Sequence, residues 1–326
     1  MRDVPLALAL GARSTFTSSS PFTQIPHWQW HTERLASSLA ELATSDPAAL
    51  PAFAAWHGGG PEVASPLPLA SHLSNAALPS LAAAVRGAGG GGGGSRGSDV
   101  GVVILVTDAA APSPCPHMEP PLDVRAYAWA LPPAPDRARP AAAVVVGPPR
   151  SRPAVKDSAW AVDRLDLEAA LQPGAADGIL ASPDGRGRLV EGLVTNLFVV
   201  QRGGTSCGSD PPLPLLLTAA PADGALDGIV RRVVLDLARA DGGIAVVEAP
   251  PDPAHAGAWT EAFLTNAVRG VQPLTALAGP PRGGERGAGV PAWQVGFEPV
   301  PGPVTVRLMA RLGRAMAEHA TRLPKA

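Results

Sequence analysis

A segment at 131–140 constrains the fold of this chain most, because it separates two blocks of structured sequence. It is rich in proline, alanine and arginine, a composition that ends regular structure and is typical of a link between domains. With 326 residues, of which 46% are hydrophobic, the chain has enough material for two cores. We therefore predict a small domain over 1–130, a linker over 131–140 and a larger domain over 141–326.

The first block contains one clear helix, two strands and an insert. Leu35, Leu39 and Leu42 recur at i, i+4 and i+7 and predict a helix over 32–43. Apolar runs predict strands over 102–107 and 124–131. Six consecutive glycines mark 87–98 as a flexible insert. It is not a phosphate loop, because the Walker motif needs a lysine and none stands nearby.

The second block alternates strands with helices. Strands are predicted over 143–146, 179–182, 188–191, 197–201, 213–218, 244–248 and 261–265, and helices over 157–171, 229–237 and 304–320. The strands over 179–182 and 188–191 are separated by residues typical of a hairpin turn, and so are the strands over 197–201 and 213–218. Strands and helices mixed within both blocks predict an α+β or α/β fold.

Overall composition excludes several classes of protein. A net charge of −2 argues against a nucleic-acid or anionic-membrane binder. Two cysteines imply no disulfide framework and favour a reducing compartment. No apolar run approaches 18 residues, so no membrane span is expected. The N-terminal stretch lacks a secretory pattern and is weakly similar to a transit peptide. We expect a cytoplasmic or plastid protein that is not secreted.

Lysine is nearly absent from this chain. Lysine and arginine together number 26, yet only Lys156 and Lys325 are lysines, and Lys325 is the second-last residue. Arginine cannot become a neutral amine nucleophile, whereas lysine can. Lys156 is therefore a candidate for amine chemistry; the alternative is a solvated lysine without a role, and composition alone does not separate the two.

Two further sites in the sequence, a helix start and a strand-end acid, have residues that could bind a ligand. Asp227 and Gly228 open the helix predicted at 229, and the unpaired N–H groups of a helix start suit a phosphate, although an ordinary helix start has the same pattern. Glu191 ends an apolar strand and needs a partner if it is buried, such as a protonated ring nitrogen; the alternative is an exposed carboxylate. His27 and His31 have a spacing compatible with metal ligation, but few carboxylates accompany them and we predict no metal site.

Four segments together resemble the class IV aminotransferases, the fold-type IV pyridoxal-phosphate enzymes. The run from Glu191 to Phe198 resembles the Glu-Gly-x-x-(Ser/Thr)-Asn-x-Phe signature, and Leu226 to Arg231 resembles Leu-x-Gly-Ile-(Thr/Val)-Arg. The residues from Glu261 to Pro273 resemble the third signature, a strand with a phosphate loop, and His31 to Leu35 resembles His-x-x-Arg-Leu. Lys156 stands about 35 residues before Glu191, where the family has its cofactor-binding lysine.

The resemblance implies a fold and an activity. It implies a two-domain α+β protein with a small N-terminal α/β domain, a pseudo-barrel in the larger domain, and a homodimer. The implied activity is pyridoxal-phosphate-dependent transfer of an amino group between an amino acid and a 2-oxo acid. Two alternatives stay open: β-elimination releasing pyruvate, as in 4-amino-4-deoxychorismate lyases acting on an amino-chorismate-type substrate, and a catalytically degenerate binding protein of the same fold.

The resemblance also implies roles for individual residues. Lys156 would hold the cofactor and move the substrate proton, and Glu191 would pair with the ring nitrogen. The remaining cofactor-binding residues would be Arg34, Gly228, Ile229 and Val230 at the phosphate, Leu226 on the ring face, and Thr195, Asn196, Thr265 and Asn266 around it. Two positions depart from the family pattern: Ala267 replaces a Ser or Thr, and Ala161 replaces the Tyr of branched-chain aminotransferases.

Overall fold

The structure, a computed structural model, describes residues 6–12, 24–58, 66–90, 100–109, 120–132, 138–203, 212–280 and 291–323. The chain forms two compact units. The first comprises Met1–Ala134, Ala154–Val162 and Ala317–Ala326, and the second comprises Pro135–Pro153 and Asp163–Met316. The boundary between Ala134 and Pro135 falls within the predicted linker, 131–140.

The segment that carries Lys156 packs with the first unit. Its residue Val155 is buried in the core of that unit, among apolar side chains of the N-terminal helices and strands. The predicted division assigns Lys156 to the larger domain, over 141–326. The compact units differ from that division because burial of Val155 fixes Ala154–Val162 to the first unit.

The first unit packs three helices against a small sheet. Its elements up to the linker are β1 (Leu6–Ala12), β2 (Gln24–Pro26), α1 (Trp28–Ser45), α2 (Pro51–His57), α3 (Pro66–Gly90), β3 (Val100–Asp108) and β4 (Leu122–Ala130). The strands β1, β3 and β4 form an antiparallel sheet in that order. The predicted helix at 32–43 is confirmed within α1, whose residues Leu35, Leu39 and Leu42 are buried in the core.

The elements after the linker follow in chain order. They are β5 (Ala141–Gly147), α4 (Trp160–Asp163), α5 (Leu165–Ala169), β6 (Gly178–Ala181), β7 (Leu189–Gly192), β8 (Asn196–Gln201), β9 (Leu215–Thr218), α6 (Ile229–Arg239), β10 (Ala245–Glu248), β11 (Trp259–Asn266), β12 (Gly270–Ala278), β13 (Gln294–Gly296), α7 (Pro303–Glu318) and β14 (Ala320–Arg322). The last strand, β14, pairs with β2 of the first unit. Both predicted hairpins are confirmed, as β6–β7 and β8–β9.

Six strands of the second unit close into a mixed β-barrel. The order is β8, β11, β12, β5, β6 and β7, and β7 pairs with β8 through Glu191 and Asn196. The pairs β12–β5 and β5–β6 are parallel, and the other four are antiparallel. Closure removes the free edges that an open sheet would expose. The predicted α+β fold with a barrel in the larger domain is confirmed.

Two predictions, a helix and an insert, differ from the structure or fall partly outside the described residues, and one helix was not predicted. The helix predicted at 157–171 is broken into α4 and α5, because Val162 and Leu165 are 61% and 55% exposed and bury no apolar face that would stabilise a longer helix. The helix α3, which contains Pro79, was not predicted from its proline-interrupted pattern. Of the insert predicted at 87–98, the first four residues end α3 and the others lie outside the described residues.

Candidate active site

Glu191 is buried in the second unit and held by neighbouring donors. The Arg150 Nε atom donates to Oε1 at 2.9 Å, and the backbone N–H of Leu226 donates to Oε2 at 2.9 Å. A buried carboxylate needs such partners, because an isolated charge is costly in a low-dielectric interior. The alternative of an exposed strand-end carboxylate is therefore wrong, and the charged partner present is a guanidinium.

Asn196 continues the same hydrogen-bonded chain. Its Nδ2 atom donates to the backbone oxygen of Leu226 at 2.7 Å, so that both polar groups of the Leu226 backbone are held, one by Glu191 and one by Asn196. Asn196 also pairs with Glu191 across β7 and β8. The barrel strands therefore fix the chain that enters α6.

The start of α6 lies directly beside Asn196. Gly228 is the N-cap of the helix, and a Cβ atom at this position would lie 2.0 Å from Asn196 Oδ1. Ile229 and Val230 form the first turn and are buried on the apolar face. The first N–H groups of any α-helix have no partner within the helix and lie at the positive end of its dipole. This end of α6 is thus suited to an anion.

Thr195 belongs to a turn that a second buried acid supports. Its Oγ1 atom donates to Asp177 Oδ2 at 2.7 Å, and the backbone N–H of Val194 donates to the same oxygen at 3.2 Å. Burial raises the pKa of the Asp177 carboxyl, and the hydrogen bonds from Thr195 and Val194 offset only part of that rise. The Thr195 hydroxyl is therefore committed to Asp177, and the two residues shape the turn that leads into Asn196.

Thr265 and Asn266 end β11 beside Asn196. Thr265 pairs with Asn196 across β11 and β8, and its buried Oγ1 atom has no hydrogen-bond partner among the described residues. Asn266 Oδ1 accepts hydrogen bonds from the backbone N–H groups of Val268 and Arg269, at 3.0 and 2.7 Å. Asn266 thus shapes the turn into β12, whereas the Thr265 hydroxyl keeps a donor capacity that no described residue uses.

The two other predicted site residues, Arg34 and Lys156, lie in the first unit. Arg34 is buried on α1, one helical turn before Ser38. Ser38 is also buried, and its Oγ atom accepts a hydrogen bond of 3.2 Å from the backbone N–H of Lys156. The structure therefore brings the Lys156 backbone to the face of α1 that carries Arg34.

The predicted residues thus fall into two groups. The second unit joins nine of them in one contiguous neighbourhood: Glu191, Thr195, Asn196, Leu226, Gly228, Ile229, Val230, Thr265 and Asn266. The first unit holds Arg34 and Lys156. Sequence reasoning missed three participants. Arg150 and Asp177 have no motif of their own, whereas Ser38 follows His31 at i+7 on the α1 face and could have been found from that spacing.

The described ranges contain no cluster of three or more His, Cys, Asp or Glu side chains arranged for a metal ion. Of the two histidines with a ligand-like spacing, His27 precedes α1 and stacks on Trp30, with ring centroids 4.3 Å apart, and His31 is buried on α1. None of the described helices is both long and apolar enough to span a membrane.

The residues present suit pyridoxal phosphate in chemical type. The group needs an amine for its aldehyde, an acceptor for its ring nitrogen and several donors for its phosphate. Lys156, Glu191 and the first turn of α6 match these three needs. The buried hydroxyl of Thr265 adds a donor that no other described residue engages.

Solved structures with the same fold include two branched-chain aminotransferases. The one from Thermobaculum terrenum, in its PLP form, is 17% identical to this chain. Its TM-score is 0.62, with coverage of 98% of this chain and 90% of that one. The one from Thermoproteus uzoniensis, with norvaline, is 18% identical and has a TM-score of 0.59, with coverage of 98% and 90%.

At these identities the likeness concerns the fold, and no curated protein matches the sequence. A sequence family described as amino-transferase class IV does match, over residues 23–277. This range contains the residues from His31 to Leu35, Lys156, and all three signatures that begin at Glu191, Leu226 and Glu261. Since the match spans well over half of the chain and the barrel agrees with it, the protein belongs to the amino-transferase class IV family.

Proposed function

We propose that this protein is a pyridoxal-phosphate-dependent enzyme that transfers an amino group between an amino acid and a 2-oxo acid. One observation carries the proposal: the buried Glu191 carboxylate and the Asn196 amide hold the two sides of the Leu226 backbone, directly before the anion-suited start of α6. Such an arrangement matches a ligand with a basic ring nitrogen at one end and a phosphate at the other. Membership of the class IV family supports it.

Lys156 has the central chemical role in this proposal. When bound, the cofactor supplies a conjugated ring that stabilises negative charge at the substrate Cα. The Lys156 amine would hold the cofactor through its aldehyde and would take the proton from the substrate Cα. Neither step is open to an arginine, which stays charged, and lysine is otherwise present only at Lys325.

The other residues bind and orient. Glu191 would accept a hydrogen bond from the ring nitrogen, and Leu226 would pack on the ring face.

The backbone N–H groups of Ile229 and Val230 would hold the phosphate, and the absence of a side chain at Gly228 would allow close approach. Arg34 adds a positive charge and Thr265 a hydroxyl donor. Thr195, Asn196 and Asn266 hold the turns that carry these groups.

The residue at position 161 bears on the class of the amino acid donor. The similar structures are named as branched-chain aminotransferases. Here Ala161 stands where such enzymes have a tyrosine, and the only tyrosine of the chain is Tyr127. We therefore propose an amino acid donor outside strict branched-chain specificity, acted on by a homodimer.

Covalent trapping of the cofactor tests the proposal. Purified protein is incubated with pyridoxal phosphate, reduced with borohydride and digested, and the labelled peptide is identified by mass spectrometry. We expect the label on Lys156, no label in Lys156→Ala, and full labelling in the control Lys325→Ala. Wild-type protein without any label would overturn the cofactor assignment.

Product analysis then separates the two reactions. Amino donors are tested with and without a 2-oxo acid acceptor. Transfer requires the acceptor and yields a new amino acid, whereas β-elimination releases pyruvate without an acceptor. Acceptor-independent pyruvate as the only product would replace the transfer proposal with the lyase alternative.

A further inference from the structure

Arg150 forms a buried ion pair with the carboxylate assigned to the cofactor ring. The Nε–Oε1 distance to Glu191 is 2.9 Å, and the two side chains are only 7% and 4% exposed. The other end of the guanidinium is also fixed, since Nη2 donates to the backbone oxygen of Pro153 at 3.0 Å. Arg150 is therefore anchored to the chain three residues before Lys156 and aimed at Glu191.

The Glu191 carboxylate can serve more than one donor at a time. Two carboxylate oxygens offer about four acceptor positions. Arg150 donates to Oε1 and the Leu226 backbone N–H donates to Oε2, so the oxygens already serve different partners. A ring nitrogen can share this carboxylate with Arg150, and the pair is compatible with the proposed cofactor site.

Arg150 and a protonated ring nitrogen can share Glu191 in space, but their positive charges repel each other. The guanidinium stays protonated and already neutralises the single negative charge of Glu191. A protonated ring nitrogen would bring a second positive charge to the same buried carboxylate, and like charges in a poorly screened interior repel. The Arg150 guanidinium and the proton on the ring nitrogen are thus both stabilised by the same single negative charge on Glu191.

We propose that Arg150 is a positioning residue that serves as the resident counter-ion of Glu191 and thereby weakens the hold of the cofactor ring nitrogen on its proton. The proposal rests on the proposed function, since it requires pyridoxal phosphate at Glu191. It assigns Arg150 no contact with the reacting atoms: its effect passes through Glu191 alone.

The protonation of the ring nitrogen gives the direct test. Wild type, Arg150→Met and Arg150→Lys are loaded with pyridoxal phosphate labelled with ¹⁵N in the ring, and the ¹⁵N chemical shift is recorded across a pH series. In Arg150→Met we expect the protonation equilibrium of the ring nitrogen to shift about tenfold or more toward the protonated form. Arg150→Lys, which keeps the charge, should stay near wild type.

Two further variants show whether the effect passes through Glu191. In a Glu191→Gln background, adding Arg150→Met should leave the ¹⁵N shift unchanged, because the shared carboxylate is gone. The matched control is Arg164→Met, which breaks the more exposed pair with Glu168 in the same unit and should not move the signal. If Arg150→Met does not fold, Arg150→Gln removes the charge and keeps a donor.

The outcomes separate this proposal from the proposed function. Wild-type protein that traps no cofactor on Lys156 overturns both. A trapped cofactor whose ring-nitrogen equilibrium is the same in wild type and in the neutral Arg150 variant overturns the Arg150 proposal alone. An equal shift in the Glu191→Gln background would also overturn it, because Arg150 would then act without Glu191.

Discussion

Ser38 Oγ accepts a hydrogen bond of 3.2 Å from the backbone N–H of Lys156, although the two residues are 118 positions apart in the chain. Ser38 is buried on α1, and Val155 next to Lys156 is buried in the same core. A hydrogen bond and an apolar contact at consecutive residues fix the backbone at Lys156. The backbone position of Lys156, the only lysine away from the end of the chain, therefore depends on a helix far away in sequence.

Ser38→Ala should loosen this attachment. It leaves the Lys156 N–H without this acceptor, and we expect a loss of about 1 kcal/mol in the free energy of unfolding, measured by denaturant titration. The rate of borohydride-trapped labelling of Lys156 should fall as well. The control is Ser37→Ala, since exposed Ser37 bonds to the Glu33 carbonyl of its own helix. Equal effects at both serines would contradict this account.

Gly228→Ala should disturb the start of α6. The new Cβ would lie 2.0 Å from Asn196 Oδ1, so the Asn196 amide must move and its bond to Leu226 must weaken. We expect stability to fall by about 1–3 kcal/mol and pyridoxal phosphate to bind at least about tenfold more weakly. Fluorescence titration measures the affinity.

Two variants control for this change. Gly296→Ala places a methyl group in open space on β13 and should change neither property. Adding Asn196→Ala to Gly228→Ala removes the colliding amide, so the double variant should lose less stability than the sum of the single changes. Strict additivity would show that the collision with Asn196 is not the cause.

Asp177 should make stability fall as pH rises. Burial raises the pKa of this carboxyl above that of the unfolded chain, so the folded state holds the proton more tightly. The contribution is fully present below the ordinary aspartate pKa of about 4 and is lost as pH rises through the raised value. Asp177→Asn cannot titrate, so its stability deficit relative to wild type should shrink as pH increases. Urea titrations at a series of pH values measure it.

Asp184 supplies a control of opposite sign. Its hydrogen bond with Arg188 lowers the pKa of this exposed carboxyl, so its contribution is present above the ordinary pKa and is lost as pH falls. The deficit of Asp184→Asn should therefore shrink toward acid, in a small effect damped by solvent. The same sign for both variants would refute the assignment at Asp177.

Glu261, on the barrel strand β11, should stabilise the start of α7. Its two carboxylate oxygens accept the backbone N–H groups of Val304 and Thr305 at 2.9 and 2.8 Å, in the first turn of α7. Glu261→Gln turns one acceptor into a donor that faces an N–H group, and we expect a loss of about 1–3 kcal/mol in denaturant titrations. Glu168→Gln, at a more exposed ion pair, should change stability by less than about 1 kcal/mol. A comparable loss at both positions would contradict the interpretation that Glu261 caps α7.

The elements that could be predicted from sequence are those whose pattern is local. The leucines of α1, the apolar stripe of α6 and the turn between β6 and β7 can each be recognised within about a dozen residues of sequence. The helix predicted at 157–171 failed because its apolar residues stay exposed, a matter of tertiary packing that no local pattern contains. The ring order of the six strands is likewise non-local.

The same limit applies to the candidate site. Glu191 and the start of α6 were predicted from motifs, and the structure joins them through Leu226. Arg150 was missed because its partner lies 41 residues away and one arginine among many carries no signal of burial. Only the folded chain shows that the acid already has a cation beside it.

The parallel pairing of β5 with β12 has a consequence for synthesis of the chain. It joins Ala141 to Leu274, so β5 has no partner on that side until the ribosome has released nearly all of the second unit. Until then the six-strand ring stays open at β5 and at β11, and these two edges can pair with other chains. Polypeptides that stop before β12 should therefore aggregate, while those that extend beyond β12 can close the ring.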